Sequence, residues 1–241
     1  MNTSSKIIGI DIGGTKIRSL LYSDGRIKLV KQYKTPKLRK EFVILLNKII
    51  KSYTAAHRIK GVGIGIAGKV EGKIVISCAN IPYIKNLNLA KVIIVQNIKV
   101  DNDARCFARA EYLYGAGRGS RNILFFTIGT GVGRAYGFNN KISKINKFEL
   151  PEVWEKKYQQ IRDHKTLNEL VVYLTSKLAL LIKQYQPQAV VIGGGVIKAQ
   201  HGQLFSKIKH KLLADSATSN IQRTRLKDNA AALGAALLFA K

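Results

Sequence analysis

Cysteine and proline are both scarce in this chain, at two and four residues among 241. Cys78 and Cys106 cannot by themselves build a disulfide framework or a four-cysteine zinc site. With so little proline, no long polar tract and 46% hydrophobic residues, the composition is that of an ordered globular protein. The length suits one large domain or two modest lobes. Long apolar runs are missing too: the stretch Leu178 to Ile182 stops at Lys183, well short of the roughly 18 residues a membrane helix needs. The segment Met1 to Lys6 is polar and has no apolar core of signal-peptide type, so the cytoplasm is the expected address and no membrane partner is expected.

The other scarcity is of negative charge. Fourteen acids face forty-one Lys and Arg, a net charge of +27. A field of that sign attracts polyanions, so nucleic acid, an anionic membrane face and nucleotide phosphates are all candidates. The basic residues are spread along the whole chain, which equally describes a solvated lysine-rich surface. The shortage of acids limits any carboxylate chemistry to Asp11, Asp24, Asp101, Asp103, Asp163, Asp215, Asp228 or one of seven glutamates. The histidines share no ligand spacing with each other or with the cysteines, which speaks against a metal site of that kind.

What is present is strongly patterned. Lys6 to Asp11 and Lys16 to Tyr22 read as a hairpin around Gly13 and Gly14, and Asp24-Gly25 turns into a third strand, Ile27 to Tyr33. Apolar residues at helical spacing follow from Lys40 to Tyr53. Strands are then expected at Gly61 to Ile66, Lys73 to Ser77 and Val92 to Gln96, with a helix over Ala104 to Tyr114. In the second half, Asn122 to Ile128 breaks at Gly129-Thr130-Gly131 and resumes at Arg134 to Phe138 before Asn139-Asn140. This order matches Lys6 to Gly25 and marks two copies of one supersecondary unit. Thr166 to Glu169 forms a capping box that opens a long helix ended by Pro187. Ala189 to Ile192 is a buried strand, Leu204, Ile208 and Leu212 mark another helix, and Asn229 to Phe239 forms a closing one. Residues 139 to 165 show no clear periodicity.

Three glycine clusters follow apolar strands: Asp11-Ile12-Gly13-Gly14-Thr15-Lys16, Gly129-Thr130-Gly131-Val132-Gly133 and Gly193-Gly194-Gly195. Glycine there permits positive φ and lets backbone N–H groups approach an anion, as a phosphate cradle requires; each cluster alone also suits a tight hairpin turn. Gly63-x-Gly65-x-x-Gly68 fits the dinucleotide fingerprint by letters only, because a turn and strand follow it instead of a helix. Asp103 stands at a helix start. It is either the N-cap or a carboxylate able to accept a proton from a substrate hydroxyl during phosphoryl transfer. Asp11 sits within an apolar strand where an unpaired charge is costly, so it is a candidate to hold Mg²⁺, directly or through water.

Taken together, Ile8 to Lys16, Gly63 to Val70, Ala79 to Pro82, Asn102-Asp103-Ala104, Ile128 to Gly133, Ile192 to Gly195 and the closing Asp228 to Ala236 resemble the ROK family of sugar kinases and repressors, within the actin-like ATPase superfamily. The resemblance implies an α/β fold with two actin-like (ribonuclease H-like) lobes built on duplicated mixed sheets. The first would span 1–106, completed by 229–241, and the second 107–228. It also implies an ATP-dependent kinase acting with Mg²⁺ on a hydroxyl of a hexose or amino sugar, with the nucleotide between the lobes. Asp11, Gly13, Gly14, Thr15 and Lys16 would form the first phosphate loop, Gly129, Thr130 and Gly131 the second, and Gly193, Gly194 and Gly195 the adenosine pocket. Gly68, Asn80, Asn102 and Asp103 would face the sugar, with Asp103 the general base. A homodimer is expected.

The chain also departs from the pattern. The Gly-Glu-x-Gly-His and cysteine-rich zinc segments that normally follow the second phosphate loop are missing between Phe138 and His164, so no zinc is expected and Glu149 or Glu152 is left to replace the sugar-holding acid. Ala67 stands where the family has proline. The alternative reading is a non-catalytic regulator or nucleic-acid-binding relative. The start of the first strand near Lys6 leaves no expected room ahead of it for a helix-turn-helix module.

Overall fold

The computed structural model describes residues 6–143, 145, 153–199, 203–215 and 220–240. The chain divides into two compact units, one of Met1–Ala110 with Asn229–Lys241 and the other of Glu111–Asp228. In chain order the first half runs β1 (Lys6–Ile12), β2 (Lys16–Ser23), β3 (Arg26–Lys34), α1 (Arg39–Thr54), β4 (Ile59–Ile66), β5 (Lys69–Glu71), β6 (Ile74–Ser77), β7 (Leu87–Asn88), α2 (Leu89–Val92), β8 (Ile98–Asn102) and α3 (Asp103–Tyr114). There follow β9 (Asn122–Ile128), β10 (Val132–Phe138), β11 (Lys141–Ser143), α4 (Val153–His164), α5 (Leu167–Tyr185), β12 (Ala189–Gly193), α6 (Gly195–Ala199), α7 (Gln203–Asp215), β13 (Ile221–Arg223) and α8 (Ala230–Ala236).

The first unit is built on a sheet of order β3-β2-β1-β4-β8, beside a small sheet β5-β6-β7. The turn between β2 and β3 uses Asp24 and Gly25, both at positive φ (54° and 71°), the backbone that a two-residue hairpin demands. β1 pairs antiparallel with β2 and parallel with β4, the latter after a crossover through α1. Helix α1 buries Phe42, Leu46, Ile49, Ile50 and Tyr53 in a core shared with Ile8, Ile10 and Ile64. Helix α8 packs on the same sheet, where Gly9 and Gly63 leave room for it. A Cβ on Gly63 would lie 1.8 Å from the Ala235 carbonyl oxygen, and one on Gly9 2.0 Å from that of Ala232. Gly63 therefore serves close helix–sheet packing, which explains a dinucleotide-like string of letters without a dinucleotide site.

The second unit repeats the plan, with order β11-β10-β9-β12-β13. β9 pairs antiparallel with β10 and parallel with β12, as β1 does with β2 and β4. Asn139 and Asn140, at φ 49° and 62°, turn β10 into β11 as Asp24-Gly25 turns β2 into β3. Helix α5 opens on the Thr166–Glu169 capping box and closes at Gln186 in the left-handed conformation (φ 44°) just before Pro187.

Two expectations fail. The strand read at Val92 to Gln96 is instead Ile98–Asn102, parallel to β4. Asn88 caps the short α2, its side chain accepting from the Ala90 N–H, and the Asn47 carboxamide then takes the Val92 carbonyl and the Ile94 N–H at 2.8 and 2.9 Å. Those backbone groups are satisfied by a side chain, so the apolar run needs no sheet partner. The segment 139 to 165 also contains strand β11 and helix α4, whose charged composition hides its helical period. Among the described residues no helix is long and apolar enough to cross a membrane.

Candidate active site

In the first unit the candidate residues gather where the parallel strands β1, β4 and β8 end, the rim at which open α/β sheets place ligands. β1 ends on Asp11 and Ile12 and enters the loop at Gly13, whose N–H donates to the Lys16 carbonyl at 3.0 Å. Thr35, just after β3, fastens that loop: its hydroxyl donates to the Gly13 carbonyl at 2.7 Å and its N–H to the Thr15 carbonyl at 3.1 Å. Thr15 and Lys16 are exposed. Gly14 is packed against the sugar-loop residue expected from sequence, since a Cβ there would meet the Asn80 Cβ at 2.7 Å.

β8 ends on Asp101-Asn102, and α3 begins at Asp103. The cap of α3 is Asn102: its Oδ1 accepts from the Ala104 N–H at 2.9 Å and the Arg105 N–H at 3.3 Å. Its Nδ2 donates to the Gly68 carbonyl at 3.1 Å, tying the loop after β4 to the start of the helix. Asp103 is therefore the first residue of the helix and not its cap. Asp101 takes Arg105 (2.5 Å) and Arg109 (2.9 Å) in ion pairs that hold α3 against the strand. The i,i+4 spacing of Asp101 and Arg105 is the sequence signal for that pair.

Asp11 is only part-exposed, and burial pushes its carboxyl up to about 7; the Asp103 carboxylate adds to the rise, while Lys16 and Arg18 oppose it. A hard oxygen donor whose charge is costly in place suits a divalent cation, which would offset that cost, so the residue fits Mg²⁺. Cys106 is buried, and burial holds its thiol well above the usual range, so it belongs to the core.

In the second unit the glycine loop 129–131 follows β9, and the turn 193–195 follows its parallel neighbour β12. These two are adjacent: a Cβ on Gly194 would fall 2.4 Å from the Ile128 carbonyl oxygen. Gly194, at φ 108°, is the one glycine of the three clusters at positive φ. At Gly14 the glycine is explained by the close approach of Asn80, whereas a Cβ on Gly129 or Gly195 would meet nothing within 4 Å. Helix α4 lies against the 129–131 loop through Tyr158, Gln159 and Arg162, none of which was anticipated; the four-residue spacing of Tyr158 and Arg162 was the available sign. Glu149 and Glu152 lie outside the described residues.

The duplicated mixed sheets define an α/β protein of the actin-like ATPase fold. A crystal structure of a ROK family glucokinase from Streptomyces griseus in complex with glucose and AMPPNP superposes with a TM-score of 0.82 at 22% identity, covering 97% of this chain and 99% of that one. The ROK family model matches residues 7–147 and 143–241, and the chain belongs to the ROK family. A glucokinase from Streptomyces coelicolor is 33% identical over 142 residues, 57% of this chain and 45% of that protein. An N-acetyl-D-glucosamine kinase from Aliivibrio salmonicida is 31% identical over 142 residues, 56% of this chain and 47% of that protein. The chain thus matches about half the length of these curated relatives.

Proposed function

We propose that this protein transfers the terminal phosphoryl group of ATP to a hydroxyl of a hexose or N-acylamino sugar, with Asp103 as general base. The observation that carries the reading is the division of labour at the start of α3. Because Asn102 caps the helix, the Asp103 carboxylate is not consumed as the cap and stands at the same strand-end rim as Asp11 and Gly14. Asn80 and Gly68 are assigned to the sugar, and Asn102 serves that site by joining Gly68 to the start of α3. The loops 13–16 and 129–131 are assigned to phosphate, and Gly193, Gly194 and Gly195 to the adenosine.

In this scheme the reaction is mostly alignment and charge neutralisation. The Asp103 carboxylate takes the proton of the attacking sugar hydroxyl. Backbone N–H groups of the glycine loops receive phosphate oxygens, and Asp11 would hold Mg²⁺, which would supply positive charge to those oxygens. The glucokinase and N-acetylglucosamine kinase relatives support the sugar class, and the sugar itself is the variable to be screened.

The test is a coupled ADP-release assay over glucose, mannose, N-acetylglucosamine and N-acetylmannosamine, run beside Asp103→Asn. Sugar-dependent ADP release that the substitution abolishes is expected. Release that ignores sugar and survives the substitution would overturn the assignment. The charge of +27 favours one other reading, a non-catalytic nucleic-acid binder. Retention on DNA that falls steeply with salt, in a protein that turns over no ATP, is the result that would select it.

A further inference from the structure

The loop 129–131 is held by a helix that lies where the family pattern leads one to look for another segment. Helix α4 lies within the stretch, Phe138 to His164, in which the Gly-Glu-x-Gly-His and cysteine-rich motifs are missing, and three of its side chains reach the loop. Tyr158, fully buried, donates its hydroxyl to the Gly129 carbonyl at 2.7 Å. Gln159 Nε2 donates to the Thr130 carbonyl at 3.2 Å. Arg162 Nη1 donates to the Thr130 and Gly129 carbonyls at 2.6 and 3.2 Å. The same guanidinium is braced through Nε and Nη2 on the Asp163 carboxylate, at 2.6 and 2.7 Å, and its carbon lies 5.7 Å from the centre of the Tyr158 ring. The Gly131 carbonyl is also occupied, by the Gly129 N–H at 2.9 Å.

All three loop carbonyls thus have donors within the protein, and this fixes the direction of the loop's own donors. In a planar trans peptide the C=O of one residue and the N–H of the next point in opposite senses. Drawing the Gly129 and Thr130 carbonyls toward α4 therefore turns the N–H groups of Thr130 and Gly131 away from it. Two successive N–H groups on one side form an anion-binding concavity, free of the carbonyl oxygens that would repel phosphate.

We propose that Tyr158, Gln159 and Arg162 are positioning residues for nucleotide phosphate, holding the second glycine loop with its donors outward. This rests on the kinase reading above. The test measures ADP and inorganic triphosphate affinity by calorimetry on the full chain, with unliganded melting temperature and sugar KM measured alongside. Tyr158→Phe, which keeps the ring and removes one donor, is expected to weaken ADP about fivefold, and Arg162→Ala about tenfold or more. Arg162→Lys, which keeps a cationic donor, should recover part of that loss. Sugar KM should stay within about twofold, since the loop is assigned to phosphate and not to the sugar.

Wild-type affinity for ADP in both Tyr158→Phe and Arg162→Ala, with or without a fall in melting temperature, would overturn the inference and leave the kinase reading intact. A wild-type chain that binds neither ADP nor triphosphate would overturn both. Should Tyr158→Phe fail to fold, Arg162→Ala, on a part-exposed side chain, decides the matter alone.

Discussion

The two units share one strand order but end their strands on different chemistry. β1 and β9 occupy the same position in their sheets, and where β1 places Asp11 before Ile12 and Gly13, β9 places Thr127 before Ile128 and Gly129. β8 runs into Asp101, Asn102 and Asp103, whereas β13 ends on Arg223. The buried acid of the second unit, Glu111, is fully engaged in structure: it accepts from the Ala116, Arg225 and Leu226 N–H groups and from the Thr224 hydroxyl. The duplication has repeated a frame, not a reaction. Carboxylates sit at the strand ends of the first unit, while the second presents glycine loops there.

The largest expected effect tests that asymmetry directly. Asp103→Asn should lower kcat by roughly two orders of magnitude or more, because an amide cannot accept the hydroxyl proton. Melting temperature should hold, since Asn102 still caps α3. Asn102→Ala should show a different pattern, with about 1 kcal/mol of stability lost through the cap. Stopped-flow turnover and thermal melts on the two variants separate the roles; equal losses in both measurements for both residues would erase the distinction.

The glycines of the second unit offer the next largest effect. Alanine at Gly194 must take φ 108° and meet the backbone of Ile128, so Gly194→Ala should cost about 2 kcal/mol or more. Gly129 has nothing within 4 Å of a built Cβ, so Gly129→Ala should fold with little loss. Urea melts with matched m-values would check the contrast.

How much of this could be read in advance follows the range of the interactions. Turns such as Asp24-Gly25 and Asn139-Asn140, the Thr166–Glu169 box and the repeated hairpin are local, and their residue types carry them. The strand misplaced at Val92 to Gln96 turned on Asn47, a side chain far away in sequence that satisfies the backbone there. Asn102 and Asp103 were legible as a pair, but the assignment of the cap required the helix start to be fixed to the residue. Helix α4 was hidden because charged and polar residues surround Tyr158 and Ile161, which it packs into the core, and because its task is tertiary, gripping carbonyls that the sequence does not display.

Asp11 supplies a smaller effect with a definite sign. Its carboxyl is raised in the folded chain from 3.8 to about 7, so the native state binds the proton more tightly than the unfolded state does. The stability this gives is fully present below the unfolded value and is lost as pH rises through the folded one. Between pH 4 and 7 the wild type should therefore lose ground to Asp11→Asn, with a slope of at most about 1.4 kcal/mol per pH unit. For a part-exposed group the total should be about 1 to 2 kcal/mol. Mg²⁺ with ATP should narrow the gap, stabilising the wild type more than the variant. A stability difference flat across that pH range would remove burial as the source of the shift.

The smallest effect bears on how the two loops are held. Thr35 does for the first loop what α4 does for the second, donating to the Gly13 and Thr15 carbonyls from behind. Thr35→Val keeps the shape and the N–H and removes one hydroxyl donor, a loss of about 1 kcal/mol in nucleotide binding. Tyr158→Phe removes one donor from the other loop. Each anchor lies with its own loop within a single unit, and the two losses are expected to add to within about 0.5 kcal/mol in the double variant. ADP titrations of the wild type, the two single variants and the double variant complete the cycle. A coupling well above that margin would mean that neither loop is set by its own anchor, and the parallel between Thr35 and Tyr158 would have to be abandoned.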